Sequence, residues 1–424
     1  MLRIVTSRDR GVWEGLLQGR SRRLSEAEGV VAPILEAVRD RGDAALIEYA
    51  RKLDSLNGRI VRLTGSQLQA ARRGLPEEVA AAVNLAASRI RAYAKRQMPA
   101  EWMESAGPGI ELGQLVRPLD SIGAYIPGGR YPLPSTVMMT AVPAQVAGVP
   151  RIAVASPNAS SVTVGTAALL GIDEVYAVGG AQAIAAFAFG TESIPRVDRI
   201  VGPGNAYVAA AKKMLAGEAG IDFVAGPTEI VLVFEDGDPR ALAADMLAQA
   251  EHDVDAAAVL LTPSHRLAAA VATEIERQIR TLPTRDVATE SIRNNGVAIV
   301  VDSLEEACEI ANRFAPEHLS VSESVPLDSI RNAGSVFVGT WSPEAVGDYA
   351  AGPNHVLPTG GNSRLRGGLS VLDFVKIVSV QKLSGQGLRG LAPTVATLAR
   401  AEGLEAHARS VEARTMPAPG GRHG

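Results

Sequence analysis

The fold is decided by a stretch that begins Arg151-Ile152-Ala153-Val154-Ala155 and continues to residue 234. Apolar segments suited to strands alternate here with segments of helical pattern. The strand segments are residues 152–155, 174–178, 199–201 and 230–234. Strands that alternate with helices are typical of βαβ units, in which a parallel sheet carries helices on its faces. The sequence therefore predicts an α/β fold.

Two glycine-rich loops follow strands of this stretch, namely Gly179-Gly180-Ala181-Gln182 and Gly202-Pro203-Gly204-Asn205. Ligands of parallel sheets bind outside the carboxyl ends of the strands, and each loop opens a helix whose N–H groups can bind a phosphate or an amide. Gln182 and Asn205 each offer a donor and an acceptor, which suits a carboxamide or ribose hydroxyls. Helix capping is the alternative role for both side chains. Tyr207 replaces the third glycine of G-x-G-x-x-G, so that motif identifies no nucleotide here.

A third turn, Tyr125-Ile126-Pro127-Gly128-Gly129, lies beyond a predicted strand at residues 110–116. Glycines at a turn let the backbone approach a bulky group, and a neighbouring tyrosine can stack on a flat ring. The alternative is a tight turn with a half-buried tyrosine.

A carboxylate and an imidazole adjoin in Ala315-Pro316-Glu317-His318-Leu319. Proline restricts the backbone, so the pair is predicted on a constrained corner at the end of a preceding helix. Histidine titrates near neutrality and glutamate can activate a water, so the two side chains can serve one reacting carbon. The alternative is a solvated glutamate beside a half-buried structural histidine.

Nitrogen and oxygen donors of the kind that bind metals occur in two further places. Gln249 and His252 are three residues apart at the end of a helix predicted over residues 239–252, so they share one face. Asp348 and His355 lie on glycine-rich, loop-like sequence and add an oxygen and an imidazole. The alternatives are a polar helix end and a surface turn.

The composition excludes several classes of protein. The 424-residue chain has a net charge of −4, lacks the apolar run of a membrane span and has no block of basic residues, so we expect neither membrane insertion nor nucleic-acid binding. The start of the chain does not resemble a signal peptide, which predicts a cytoplasmic protein. Cys308 is the only cysteine, which excludes an internal disulfide and favours a buried, inert thiol.

Taken together, the motifs resemble the histidinol dehydrogenase family of zinc- and NAD-dependent enzymes, from about residue 25 to residue 407. The runs that carry the resemblance are Tyr125-Ile126-Pro127-Gly128-Gly129, Gly179-Gly180-Ala181-Gln182-Ala183-Ile184, Gly202-Pro203-Gly204-Asn205-Ala206-Tyr207, Ala225-Gly226-Pro227-Thr228-Glu229, Gln249-Ala250-Glu251-His252, Ala315-Pro316-Glu317-His318-Leu319, Gly347-Asp348-Tyr349-Ala350, Asn354-His355-Val356-Leu357-Pro358-Thr359 and Glu402-Gly403-Leu404-Glu405-Ala406-His407.

The resemblance implies a role for each of these site residues. The implied zinc ligands are Gln249, His252, Asp348 and His407, the last from the second subunit of a homodimer. The implied acid–base pair is Glu317 and His318, and the implied NAD contacts are Tyr125, Gln182 and Asn205. The implied substrate contacts are Thr228, Gln249, His252, His318, Asp348, Glu402 and His407. Thr228 is a small departure, because serine is more usual there in the family; the hydroxyl is retained.

The resemblance also implies an architecture of two Rossmann-like parallel-sheet domains, with an N-terminal helical part and a C-terminal helical tail that packs on the partner subunit. The implied divisions are an extension (1–24), a zinc and catalytic domain (25–120 with 230–370), an NAD-contacting domain (121–229) and a tail that contributes to the partner's active site (371–424).

The implied reaction is the last step of histidine biosynthesis, in which L-histidinol is oxidised to L-histidine through histidinal with two NAD and water. Three alternatives remain open from the sequence. They are a zinc-dependent hydrolase in which Glu317 activates water, a dehydrogenase of another small amino alcohol, and a catalytically inactive NAD-binding or interaction protein.

Overall fold

The computed structural model describes residues 1–11, 14–15, 22–58, 60–128, 131–224 and 226–415. The chain forms two compact units, one made of Met1–Gln97 with Leu119–Phe374 and the other of Met98–Pro118 with Val375–Gly424. Gly129 and Ala225 of the motifs, and part of the predicted N-terminal extension, lie outside the described residues.

Strands and helices alternate through most of the described chain. The strands are β1 Arg3–Thr6, β2 Trp102–Gly107, β3 Ile110–Pro118, β4 Ser121–Tyr125, β5 Arg151–Ala155, β6 Glu174–Tyr176, β7 Arg199–Val201, β8 Gly220–Ile221, β9 Glu229–Val233, β10 Ala257–Thr262, β11 Gly296–Val300, β12 His318–Val321, β13 Ser335–Val338 and β14 Val375–Leu383. The helices are α1 Arg22–Arg41, α2 Asp43–Leu53, α3 Gly65–Arg73, α4 Glu77–Gln97, α5 Pro134–Ala147, α6 Ser161–Leu169, α7 Gly180–Phe189, α8 Ala206–Met214, α9 Pro239–Ala250, α10 His265–Gln278, α11 Arg285–Asn295, α12 Leu304–Phe314, α13 Glu344–Tyr349, α14 Gly385–Ala401 and α15 Glu405–Thr415. Short 3₁₀ helices lie at Ile279–Thr281, Leu327–Ser329, Asn362–Arg364 and Val371–Phe374.

A six-stranded sheet in the first unit has the order β1-β11-β10-β9-β12-β13, and all of its strands pair in parallel. Strand β9, with the sequence Glu229-Ile230-Val231-Leu232-Val233, is buried along its whole length. A continuous apolar strand of this kind is expected where helices cover both faces of a parallel sheet. Strand β1 lies inside the predicted N-terminal extension, residues 1–24, so part of that segment belongs to the sheet.

A five-stranded parallel sheet in the same unit has the order β6-β5-β4-β7-β8. Gly123 in the central strand β4 leaves room for the ring of Phe187, because a Cβ there would lie 2.7 Å from the ring. Apolar residues of α1 and α2, such as Val31 and Leu46, share the core of this sheet. The predicted division, in which residues 25–120 belong with residues 230–370, stays a prediction.

Parallel sheets and the α/β class are therefore confirmed. The second unit has a small antiparallel sheet of order β14-β3-β2, of which only β3 was anticipated as a strand. Its terminal helical segment is divided, because Gly403 adopts φ +80 between α14 and α15. Among the described residues, no helix is long and apolar enough to span a bilayer.

Candidate active site

The predicted acid–base pair lies where α12 passes into β12. Helix α12 ends at Phe314, Ala315 turns the chain with φ +48, and β12 begins at His318. Pro316 thus lies on the constrained corner that the sequence predicts. Glu317 and His318 are 7% and 4% exposed, so the alternative of a solvated glutamate is wrong.

Glu317 is held by the chain that leads into β9, the strand beside β12. The hydroxyl of Thr228 and the N–H of Glu229 both donate to its Oε2 atom, the latter over 3.1 Å. Gln249 Nε2 in turn donates to the Thr228 hydroxyl over 2.6 Å. Burial raises the pKa of Glu317, although the charge of His318 and these hydrogen bonds oppose the rise. Thr228 therefore connects the predicted base to a predicted zinc ligand.

His318 is surrounded by carboxylates. Its Nδ1 atom lies 3.4 Å from Glu344 Oε1 and 3.8 Å from Glu317 Oε2, and its Nε2 atom lies 3.6 Å from Asp348 Oδ1. None of these contacts forms a hydrogen bond, so both ring nitrogens are buried without a hydrogen-bond partner among the described residues. Burial opposes protonation, but the charges of Glu344 and Glu317 outweigh it and raise the pKa of His318 to about 10.

Donor atoms suited to a metal meet beside this pair. Ligand atoms of His252, Glu344 and Asp348 all lie within 4.8 Å of one another. The buried Oε1 atom of Gln249 and the buried Oε2 atom of Glu344 have no hydrogen-bond partner in the described structure. Nitrogen and oxygen donors with an excess of carboxylate charge favour a divalent cation, and zinc accepts such ligands. The residues present therefore fit a zinc ion.

The sequence does not indicate Glu344, because α13 has only six residues, too few for a periodic helical pattern. Asp348 accordingly lies on this short helix rather than on loop-like sequence, and a spacing of four puts it on the same face as Glu344. Burial raises the pKa of Glu344, and the charge of Asp348 adds to the rise. Burial also acts to raise the pKa of Asp348, but His318 outweighs it and the pKa is lowered. Glu344 and Asp348 come close to His318 only when the chain folds, so the sequence does not show this arrangement.

His355 supports the site from outside the donor cluster. Its Nδ1 atom lies 2.8 Å from the backbone oxygen of Asp348, and its Nε2 atom lies 3.3 Å from the hydroxyl of Thr136 on α5. Burial lowers its pKa. With both ring nitrogens occupied, His355 fixes the backbone that carries Asp348 and ties it to the helix that follows β4.

The predicted NAD residues lie at the carboxyl ends of strands in the five-stranded sheet. Tyr125 ends β4, and its buried hydroxyl accepts a hydrogen bond from Gly180 N over 3.2 Å. Burial raises the pKa of this tyrosine to about 12. Gln182 on α7 is fully buried; its Nε2 atom donates to Asp54 over 2.9 Å, and its Oε1 atom has no partner in the described structure. An unpaired buried oxygen at this strand end fits a ligand that brings a hydrogen-bond donor.

Asn205 is the N-cap of α8, where its Oδ1 atom accepts from the N–H groups of Tyr207 and Val208, each over 3.1 Å. Asn205 therefore caps this helix, and the two capping hydrogen bonds use only its Oδ1 atom. The two remaining site candidates, Glu402 and His407, belong to the second unit, and both are exposed.

An acid–base pair beside metal-type donors, with glycine-rich loops at the strand ends of a second parallel sheet, defines an α/β enzyme with a metal-capable centre. A family model described as histidinol dehydrogenase matches residues 17–415. The chain is 48% identical to the histidinol dehydrogenase of Geobacillus kaustophilus over 92% of this chain and 94% of the relative. It is 46% identical to that of a Synechococcus strain, over 91% and 92% of the two chains.

A solved structure of histidinol dehydrogenase from Elizabethkingia anophelis superposes with a TM-score of 0.91 at 35% identity, and covers 98% of this chain and 97% of that chain. The chain therefore belongs to the histidinol dehydrogenase family, whose members are NAD-dependent oxidoreductases of histidine biosynthesis. The hydrolase and the inactive binding protein are not favoured.

Replacing Thr228 with valine should lower both zinc retention and turnover, because valine keeps the shape but removes the hydroxyl between Gln249 and Glu317. Loss of a hydrogen-bonded neighbour of a metal ligand costs about 10- to 100-fold in metal affinity or activity, and we expect an effect in that range. Metal content after dialysis and the rate of NAD reduction measure it. Thr228→Ser is the matched control and should stay within about threefold of wild type, since the hydroxyl is retained. A valine variant with unchanged zinc content and turnover would show that the hydroxyl is dispensable.

Proposed function

We propose that this chain oxidises L-histidinol to L-histidine through histidinal, with the transfer of four electrons to two NAD and the consumption of water. The observation that carries the proposal is the burial of Glu317 beside His318, together with the unpaired buried oxygens of Gln249 and Glu344. The proposal includes a cytoplasmic location and a homodimer.

Gln249, His252 and Asp348 would hold zinc, completed by His407 from the partner subunit. Glu344 lies close enough to His252 and Asp348 to share in the site. Tyr125, Gln182 and Asn205 would contact NAD, and Thr228 and Glu402 would contact the substrate. When bound, zinc would orient the ring and amine nitrogens of histidinol, and NAD would accept hydride from its carbinol carbon.

In the first oxidation, His318 takes the hydroxyl proton as the carbinol carbon loses hydride. The carboxylates that raise the pKa of His318 make its neutral form a strong base, which suits the removal of a hydroxyl proton. The carboxylates of Glu344 and Glu317 stabilise the imidazolium that results. Burial of the pair excludes bulk water from the aldehyde.

In the second oxidation, Glu317 takes a proton from a water that attacks histidinal, while the imidazolium of His318 returns its proton to the carbonyl oxygen, which gives the hydrate. The neutral His318 then deprotonates the hydrate as its carbon loses hydride to NAD. Burial raises the pKa of Glu317, which makes its carboxylate a stronger base than an exposed one. The hydrogen bonds from Thr228 and Glu229 fix one oxygen, so the carboxylate has a single orientation.

Glu317→Gln should separate the two oxidations. The zinc-loaded wild-type enzyme should form two NADH for each histidinol consumed. In the variant, histidinal oxidation should fall about 100-fold or more, because only that step needs activated water, whereas histidinol oxidation should fall less than about tenfold. The two rates are measured from NADH absorbance with each substrate supplied separately.

Glu309→Gln, an exposed glutamate on α12, is the control and should change neither rate. Equal losses with both substrates would contradict the role of Glu317. A wild-type enzyme that forms no NADH from histidinol would contradict the proposed function itself.

Mixed dimers should test the partner's contribution. His407→Asn should lower zinc occupancy and activity, whereas His318→Ala should lower activity because it removes the general base. When the two inactive variants are dissociated and reassociated together, a mixed dimer has one complete site if His407 acts across the interface. Random reassociation of equal amounts then restores about a quarter of wild-type activity. Restoration of none, from variants shown to form mixed dimers, would place His407 outside the partner's site.

A further inference from the structure

A buried carboxylate from the N-terminal helical segment reaches the glycine-rich loop that follows β6. Asp54 is the residue after α2, and it is 7% exposed. Its Oδ2 atom accepts two hydrogen bonds from this loop, one from Gly179 N over 2.8 Å and one from Gln182 Nε2 over 2.9 Å. Asp54 therefore binds the backbone and a side chain of one loop from more than a hundred residues away in sequence.

This contact fixes the orientation of the Gln182 carboxamide. A carboxylate only accepts hydrogen bonds, so it selects the NH₂ end of the amide and leaves the Oε1 end free. The Oε1 atom is buried and has no hydrogen-bond partner within the described residues. An unsatisfied buried acceptor is costly, which is why such a group in a native structure calls for a missing donor.

The loop is shaped around this orientation. Gly180 adopts φ +61, and a Cβ there would lie 2.7 Å from Gln182 Oε1, so only glycine leaves room for the carboxamide. The N–H of Gly180 donates to the Tyr125 hydroxyl, while that of Gly179 donates to Asp54. The N–H groups of Gly179 and Gly180 thus both have hydrogen-bond acceptors within the protein. The Oε1 atom of Gln182 has no donor among the described residues.

We infer that Asp54 is a positioning residue for NAD, which holds the Gln182 carboxamide so that Oε1 accepts a hydrogen bond from a donor group of the dinucleotide. The inference rests on the proposed role of Gln182 in NAD binding. The donor is either the amide N–H of the nicotinamide or a ribose hydroxyl, since both supply what the unpaired oxygen lacks.

Asp54→Asn tests this positioning, because an asparagine amide can face Gln182 either way and no longer selects one orientation. In the full-length, zinc-loaded enzyme, the Kd for NADH, measured by calorimetry in the absence of substrate, should rise about tenfold. The KM for NAD should rise with it, while the KM for histidinol should stay within about twofold of wild type.

Asp43→Asn is the matched control. Asp43 begins α2 and accepts hydrogen bonds from the N–H and the hydroxyl of Ser193. It therefore anchors the same helix to the segment that follows α7, away from the glycine-rich loop. We expect Asp43→Asn to lower the melting temperature without changing the Kd for NADH. An unchanged Kd in Asp54→Asn, or an equal rise in both variants, would overturn the inference.

Gln182→Met keeps the experiment decisive if Asp54→Asn fails to fold. Methionine lacks the carboxamide, so the same rise in Kd is expected, and combining it with Asp54→Asn in a folded double variant should add nothing. A Gln182→Met variant with wild-type affinity would overturn the inference. A wild-type enzyme that binds no NADH would instead contradict the proposed function.

A dinucleotide with 3-acetylpyridine in place of nicotinamide distinguishes the two donors, because it lacks the amide N–H. If the nicotinamide supplies the donor, Asp54→Asn should bind this analogue as the wild type does. If a ribose hydroxyl supplies it, the tenfold difference should persist. A Kd of Asp54→Asn about tenfold above wild type, for NADH or for the analogue, supports the positioning role if Asp43→Asn shows no such rise.

Discussion

The site depends on the burial of several carboxylates around one imidazole. Glu317, Glu344 and Asp348 each lie within 4 Å of a ring nitrogen of His318, and all four side chains have little contact with solvent. Burying an ionised group costs several kcal/mol unless opposite charge or hydrogen bonds compensate it. Here Thr228 and Glu229 satisfy one oxygen of Glu317, but other buried atoms are left unpaired. A site of this kind is better suited to receiving a cation and a polar substrate than to stabilising the fold.

In the two parallel sheets of the first unit, the candidate site residues lie at opposite ends of the strands. Thr228 and His318 lie at the amino ends of β9 and β12, whereas Tyr125 and Gly179 lie at or beyond the carboxyl ends of β4 and β6. The usual expectation for parallel sheets, that ligands bind at carboxyl ends, applies to the proposed NAD loops. It does not apply to the acid–base pair. The contact between Thr136 and His355 links the two arrangements, since α5 follows β4 and His355 supports Asp348.

Local sequence signals were sufficient wherever a residue type restricts the backbone. Pro316 predicted the corner at Glu317, and apolar runs predicted strands of both parallel sheets. The resemblance to a known family implied roles that no periodicity contains, such as that of His407. Glu344 was missed because six helical residues are too short for a periodic pattern. Asp54 was missed because its partners, Gly179 and Gln182, are distant in sequence and only the fold brings them together. The packing of α1 and α2 on the five-stranded sheet was missed for the same reason, since an amphipathic stripe does not identify the surface that covers it.

The most direct test of the proposed metal centre is anomalous diffraction at the zinc absorption edge, from crystals of the fully zinc-loaded protein. A single strong peak per active site is expected between the side chains of Gln249, His252 and Asp348. No peak there in a sample of confirmed zinc content, or a peak bound by other residues, would contradict a metal-centred active site.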